Sequence, residues 1–350
     1  MRYIIRKKRG RGHIYYDSET KKEIKNKDVL NYVKSLVIPP AWRDTVIVYP
    51  TIKKNNGNKT NNTTNTKYVV NSKRLAVGYD EAGRLQSIYS NKSIKQREKK
   101  KVNTLIDLAN NIDTINGRIN RDLNSKKMSK NKLIALIIKI IMRCNFRVGK
   151  EIYKIKYNST GITTITPKNI KLYPKYLNIN FIGKKGVFNQ CDIKDRRIVD
   201  MIKSLYKLTK KNENIFSYID PDTKKKIVID ENDVNEYLKQ FGENITSKNF
   251  RTYNANMYYI NIITNKTIPE TITARKRLSN DIIKQVSKEL HHTSAICKKS
   301  YLNNDLIDTY INSPNKFNTY FIKNKNKNTN KNSNKYSNKN NFIRFLVANN

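Results

Sequence analysis

The side chains able to do chemistry in this sequence are a dispersed set of basic residues and one tyrosine. Arg147 stands in NFRVGK (145–150), at the end of the most apolar stretch of the chain and two residues before Gly149. Lys184 stands in FIGKKG (181–186), Lys248 and Arg251 in SKNFRTYNAN (247–256), and His292 and Tyr301, nine residues apart, in LHHTSAICKKSYL (290–302). Guanidinium presents a planar donor fork suited to phosphate oxygens, and a tyrosine oxygen can act as a nucleophile. Each residue also has an ordinary reading: an arginine at a helix C-terminus answers the helix dipole, and lysines in turns or on helices are solvent-facing charge. Competing chemistries lack their signatures. There is no GxxxxGK[ST] loop and no HExxH, and Cys144, Cys191 and Cys297 are widely spaced with no CxxC pair or His cluster beside them. Asp220-Pro221-Asp222 offers two carboxylates for magnesium, but Pro between two Asp beside Thr223 is first of all a turn signal.

Such residues need elements to hold them, and the patterning supplies two kinds. From Arg2 to about Asn91 the segments are short and strand-like: Tyr3–Ile5, His13–Tyr16, Thr45–Val48, Tyr68–Val70 and Leu85–Tyr89, with one helix over Asp28–Leu36 stopped by Pro39-Pro40. Residues 1–92 read as a small β-rich domain. Within it, 53–67 is almost wholly Asn, Thr and Lys and is expected to be a disordered inserted loop. From Ser93 helical periodicity dominates, over Val102–Ile112, Lys132–Met142, Asp195–Leu208, Val234–Phe241 and Ile282–Leu290, giving a larger, mostly helical domain at 93–322. It is interrupted by an expected small antiparallel sheet, Ile162–Ile165, Ile170–Tyr173, Leu177–Ile182 and Val187–Asn189, with its tight turn at Gly183–Gly186. Residues 323–350, rich in Lys and Asn, are expected to form a flexible basic tail. The fold class is therefore α+β.

The chain has 350 residues, enough for two cores, and 71 Lys and Arg against 28 Asp and Glu, a formal net charge of +43. The excess runs throughout and implies a polyanionic partner without choosing between nucleic acid, an anionic membrane surface and an acidic protein. Leu133–Met142 is about half the length of a membrane span and contains Lys139, so it reads as a buried helix. The N-terminus lacks a signal-peptide apolar core, and the cysteine usage fits a reducing, intracellular compartment.

In combination and order, the motifs do more than they do singly. An Arg in FR-x-G-K, a Lys in a hairpin FxGK turn, Lys-x-x-Arg-Thr-Tyr, and His-Thr with a Tyr nine residues after the His resemble the active-site series of type IB DNA topoisomerases of the poxvirus, giant-virus and bacterial kind. IPPAW (38–42) looks like the N-terminal signature of the bacterial-type members. GYDEAGRLQSIY (78–89) is similar to the strand pair by which the family touches the major groove. The resemblance covers about residues 1–322.

What it implies is specific. Tyr301 matches the nucleophile, Arg147, Arg251 and His292 the groups that bind the scissile phosphate, Lys184 the general acid, and Lys248 a second lysine assisting it. Arg84, Gln86 and Tyr89 fall on the DNA-contacting strand, and the fold implied is the catalytic fold shared with tyrosine recombinases. The implied reaction relaxes supercoils of both signs through a 3′-phosphotyrosyl intermediate, without ATP, metal or other cofactor, on double-stranded DNA and as a monomer. Two positions depart from the pattern: Ser87 stands where many relatives carry a tyrosine, and His291 replaces a glycine commonly seen before the histidine. The Asn and Lys bias points to an AT-rich genome such as that of a large DNA virus, which would place the protein in a virion or viral replication compartment.

Two rival readings remain open at the level of sequence. A tyrosine recombinase shares the Arg-Lys-Arg-His-Tyr logic but typically has His-x-x-Arg where this chain has Lys248-x-x-Arg251, and it lacks the IPPAW domain. An architectural DNA-binding protein would use the charge alone and never form a covalent adduct.

Overall fold

The computed structural model describes residues 2–54, 66–322 and 333–350. The chain divides into two compact units, Met1–Lys100 and Lys101–Asn350. The smaller contains β1 (Tyr3–Arg9), β2 (Gly12–Asp17), α1 (Lys27–Ser35), β3 (Arg43–Val48), β4 (Thr51–Lys54), β5 (Thr66–Val69), β6 (Arg74–Tyr79) and β7 (Leu85–Tyr89). Five strands form one antiparallel sheet in the order β2-β1-β3-β6-β7, while β4 and β5 pair separately. Ile4, Ile47 and Ala76 on the inner face of the sheet join Val29, Tyr32 and Val33 of α1 in a small core, as period-two and helical spacing require. Asn26 caps α1 by accepting the Asp28 and Val29 N–H groups. Arg6 is buried but satisfied, donating to the Pro39 carbonyl at 3.2 Å and the Trp42 carbonyl at 2.6 Å, so the IPPAW segment is pinned against β1.

Two expectations change here. The strand β6, RLAVGY, went unread because its run is short and interrupted by glycine. The Asn/Thr/Lys loop falls mostly outside the described residues, but its ends do not behave as loop: Lys53 and Lys54 belong to β4, and Thr66 and Lys67 to β5, paired antiparallel.

The larger unit takes most of α2 (Asn91–Leu123), which runs across the boundary, and then α3 (Lys130–Cys144), α4 (Glu151–Tyr157), β8 (Ile170–Leu172), β9 (Leu177–Ile182), β10 (Phe188–Ile193), α5 (Arg196–Leu208), β11 (Ser217–Ile219), β12 (Lys226–Val228) and α6 (Glu231–Lys239). It continues through α7 (Ser247–Ile263), α8 (Ile272–Glu289), α9 (Ser294–Ser300), α10 (Asn304–Asn312), α11 (Pro314–Phe321) and α12 (Ser333–Ala348). Helix α3 is its centre: Leu133 through Ile138, with Ile140 and Ile141, are all buried, which is why the sequence there is apolar on every face. The small sheet has the order β10-β9-β8, antiparallel throughout. Asp220 accepts the N–H groups of Asp222 and Thr223 and closes the β11–β12 hairpin, so Asp220-Pro221-Asp222 is a turn.

Two further corrections concern this unit. Ile162–Thr164 forms a turn of 3₁₀ helix, not a strand. Its β-branched run is buried, and the Thr164 hydroxyl bonds to Gly161 while the Thr163 hydroxyl donates to the Gly149 carbonyl, local bonds that compete with a sheet ladder. The expected flexible tail at 323–350 is wrong for its described part, since 333–348 is the helix α12. Phe342 and Phe345 are fully buried, and Phe345 packs against Tyr320 and Phe321 with ring centroids at 5.3 and 5.8 Å. The apolar cluster FIRFLVA at the very end of a Lys/Asn-rich segment was the overlooked signal.

Candidate active site

Each member of the cluster sits just beyond, or on, a well-anchored helix. After α3 the chain reverses at Asn145, whose backbone is left-handed at φ 54°. Arg147 follows, its carbonyl accepting the Ile162 N–H at 2.9 Å. That bond is possible because Gly149 and Gly161 cross in contact: a Cβ on Gly161 would lie 2.1 Å from the Val148 carbonyl, and Gly149 has φ 125°. Arg251 lies one turn into α7, a helix buried nearly all round, with only 1% of its surface exposed. His292 follows the end of α8, and Tyr301 follows α9, itself capped by the Thr293 hydroxyl.

These four residues converge. An Arg147 guanidinium nitrogen donates to the Tyr301 hydroxyl at 3.3 Å. The Arg251 guanidinium carbon lies 5.2 Å from the Tyr301 ring centre. The His292 ring stacks on Tyr301 with centroids 4.7 Å apart and planes at 15°. Arg251 uses one nitrogen, Nη2, to hold the Leu290 carbonyl at 2.8 Å, while its Nε and Nη1, and Nε2 of His292, are buried without a hydrogen-bond partner among the described residues.

The electrostatics follow from that crowding. Burial pushes the Tyr301 hydroxyl up, but Arg251 and Arg147 together outweigh it and hold the phenol below the usual tyrosine range. Burial, and then the Arg251 charge, push His292 down to about 4, so its imidazole is neutral near pH 7. Burial lowers Arg251 to about 10, which leaves it charged at that pH. A phenol biased toward its anion, two guanidiniums and unfilled buried donors form a receptor for a tetrahedral oxyanion such as a phosphodiester.

The other sequence candidates stand apart from this cluster. Lys184 is exposed at the tip of the β9–β10 hairpin, where Lys185 and Gly186 both have positive φ. Lys248 is exposed on the first turn of α7, one turn before Arg251. In the smaller unit, Asp80 gathers the strand residues: one carboxylate oxygen accepts Arg84 Nε at 2.9 Å and Gln86 Nε2 at 2.8 Å. These bonds, the Arg84 pair first, hold Asp80 down at about 2. Tyr89 lies under the Arg97 guanidinium, 3.6 Å from its ring centre.

Sequence reading missed several residues that position these groups. Asn256, fully buried on α7, donates to the Tyr301 carbonyl at 2.9 Å and accepts the Asn303 N–H at 2.9 Å, clamping the backbone on both sides of Leu302. Its position five residues after Arg251 was the available signal. Lys101 donates to the carbonyl of Ser300 at 2.9 Å. Helix α4 has no buried residue and exposes Ile152, Tyr153, Ile155 and Tyr157 just after the Arg147 segment. Cys144 and Cys191, whose wide spacing on sequence alone fits a reducing compartment, form a disulfide across a sequence separation of 47, linking the end of α3 to β10, while Cys297 is free and buried. Spacing along the chain could not reveal that pair, because β10 reaches Cys144 only once the sheet has formed.

Known proteins are similar to this chain over most of its length. Residues 90–330 match the family model described as the catalytic core of eukaryotic DNA topoisomerase I, a span that includes all six candidate catalytic residues. The chain is 32% identical over 333 residues to DNA topoisomerase 1B of Acanthamoeba polyphaga mimivirus, covering 93% of this chain and 91% of that protein. It is 27% identical over 236 residues to DNA topoisomerase 1B of vaccinia virus, strain Copenhagen, covering 67% of this chain and 71% of that one. It is also 26% identical over 251 residues to DNA topoisomerase 1 of rabbit fibroma virus, covering 71% and 76%. With the family model spanning more than half of the chain and its viral relatives aligned over most of their length, the chain belongs to the type IB DNA topoisomerases of the viral kind.

Proposed function

We propose that Tyr301 attacks a backbone phosphate of duplex DNA, forming a 3′-phosphotyrosyl bond and releasing a 5′-hydroxyl, and that reversal of this step after strand rotation reseals the nick. The bond energy stays in the covalent intermediate, so religation needs no ATP. The observation that carries the assignment is the set of buried polar atoms without a partner beside the Tyr301 hydroxyl: the donors Arg251 Nε and Nη1, and the ring nitrogen His292 Nε2. Leaving buried polar groups unpaired is costly, and a phosphate satisfies the two Arg251 donors directly and Nε2 once the ring is protonated. In the free protein His292 Nδ1 lies 3.3 Å from the Thr293 carbonyl, which makes Nε2 the ring atom that meets a non-bridging oxygen. The charge on that oxygen counters the two guanidiniums and favours the imidazolium.

Lys184 protonates the departing 5′-oxygen, with Lys248 assisting; both are exposed and free to follow the substrate. Arg84, Gln86 and Tyr89 of the smaller unit contact the DNA, and the uncovered face of α4 offers a second contact. The net charge of +43 adds non-specific affinity that falls as salt rises. The enzyme acts as a monomer, inside cells and, if its source is a virus, in a virion or viral replication compartment. Cationic side chains supply the transition-state charge, so relaxation proceeds in EDTA. The test is incubation with negatively and positively supercoiled plasmid in EDTA without ATP, beside Tyr301→Phe, with adducts trapped by detergent. Relaxation of both signs with a 3′-linked adduct, both lost in the variant, is the expected result. An adduct surviving in Tyr301→Phe would move the nucleophile elsewhere, and strands joined to a second duplex would indicate a recombinase.

A further inference from the structure

His291 occupies a backbone position built for glycine. It lies just past the C-terminus of α8 with φ 53°, its N–H donating to the Lys288 carbonyl at 3.1 Å and the following His292 N–H to the Ser287 carbonyl at 3.1 Å. This is the helix-ending bond pair in which the left-handed residue is usually glycine, because a Cβ there is strained. A strained residue persists where its side chain makes a compensating interaction. Here the half-buried imidazole reaches across to the end of α3, placing Nε2 3.2 Å from the Cys144 carbonyl, with its ring 5.7 Å from that of Phe146. That carbonyl belongs to the last turn of a helix, where carbonyls lack an intrahelical partner.

The two segments joined in this way are those that carry Arg147, three residues beyond Cys144, and His292, the next residue along. Asn145 spans the same gap by donating to the Glu289 carbonyl at 3.2 Å, and Arg251 holds the Leu290 carbonyl at 2.8 Å. The imidazole is thus a second strut across that gap, and comes from the α8 side where Asn145 comes from the α3 side, while Arg251 steadies the same turn from α7. We propose that His291 is a positioning residue for cleavage: its Nε2–H bond to Cys144 fixes the separation of Arg147 from His292, and so the width of the phosphate receptor, in place of the bare glycine turn. The proposal rests on the phosphate-binding roles of Arg147 and His292 given above.

Three variants separate this role from mere space filling. His291→Gly removes both strain and strut, His291→Gln keeps a donor at similar reach on the same strained backbone, and His291→Leu keeps strain and bulk without a donor. Each is measured, with enzyme in excess over supercoiled plasmid, for the rate of detergent-trapped adduct formation, alongside DNA affinity and thermal melting. Misplacement of reacting groups by about 1 Å costs roughly 100-fold. His291→Gly is therefore expected to melt no lower than the wild type and to bind DNA equally well, yet to cleave about 10 to 100 times more slowly, with His291→Gln within about threefold of wild type. Wild-type cleavage by His291→Gly, or His291→Gln as slow as His291→Leu, overturns the proposal. Should His291→Gly fail to fold, the Gln against Leu pair decides alone. If the wild type forms no Tyr301-dependent adduct, the catalytic reading falls and takes this one with it, whereas an active wild type matched by His291→Gly removes only the strut.

Discussion

The larger unit holds two kinds of basic residue, and they are kept in opposite ways. Arg251 is buried on α7 with one nitrogen tied to the Leu290 carbonyl, and it is grouped with Arg147 and His292 around a buried Tyr301. Lys184 and Lys248 are exposed, one on a hairpin tip and one on a first helical turn. Groups that stabilise charge gain from being fixed before the substrate arrives, since a preorganised donor needs no rearrangement during the reaction. A group that hands a proton to a leaving oxygen need only arrive there, and a long side chain on a turn can do so. In the proposed mechanism the residues of the phosphate receptor are already gathered in the free protein, while the acid reaches its place only with DNA.

The sharpest way to break that comparison is to remove one member of each kind. Arginines that stabilise phosphoryl-transfer charge are worth about 10³ to 10⁵ in rate. Arg251→Ala is expected to slow adduct formation by that much, and Lys184→Ala by about 10² to 10⁴, the usual range for general acid catalysis. A substrate whose 5′-oxygen is replaced by sulfur needs no proton to depart and should restore Lys184→Ala but not Arg251→Ala. Equal rescue of both, measured as the single-turnover cleavage rate, would show that the two residues share one task.

The same contrast governs what the sequence could disclose. Helices α3 and α5 were legible because one is apolar throughout and the other amphipathic, and the hairpin bearing Lys184 announced itself by its glycines. Helix α7, which carries Arg251 and Asn256, was not legible as a helix. It is buried on nearly every face yet built from Asn, Thr and Tyr as well as apolar residues, so no stripe of spacing marks it. The six candidate catalytic positions came from ordered motifs, and three of them meet around a fourth, Tyr301. The bonds that space them, from Asn145, Asn256 and His291, join residues more than 30 positions apart and depend on tertiary structure. The helix α12 was lost to composition: Lys and Asn dominate its surroundings, and among its described side chains Phe342, Phe345 and Leu346 are the buried apolar ones that dock it.

A smaller effect sharpens the comparison by asking whether the exposed half is braced by the buried half. The Cys144–Cys191 disulfide joins the α3 end, three residues before Arg147, to β10 of the hairpin that presents Lys184. Chain entropy for a loop of that size gives about 4 kcal/mol, with measured values typically about 2 to 4 kcal/mol. Thiol titration of the denatured, unreduced protein should find one free cysteine, Cys297, and three after reduction. Cys191→Ser should lower stability by about 2 to 4 kcal/mol in urea unfolding, with less effect on cleavage than Lys184→Ala. Three free thiols before reduction would show that the brace is not formed.

The smallest expected effect belongs to the buried cluster and has a definite sign. Burial and the two arginines lower His292 from its ordinary 6.5 to about 4. Between those pH values the unfolded chain binds a proton that the native protein does not, so stability rises with pH across the window. The contribution is fully present above pH 6.5 and lost as the pH falls toward 4. Burial also shifts His291 downward, adding in the same direction. Thermal melting of the DNA-free protein should therefore drop from pH 7.5 to pH 4.5, and His292→Asn should drop less while keeping the part due to His291. If the variant loses as much as the wild type, His292 titrates in the native state as it does unfolded. The receptor would then be open to water in the free protein, and the contrast between its buried groups and the exposed lysines would fail at the residue that stacks on Tyr301.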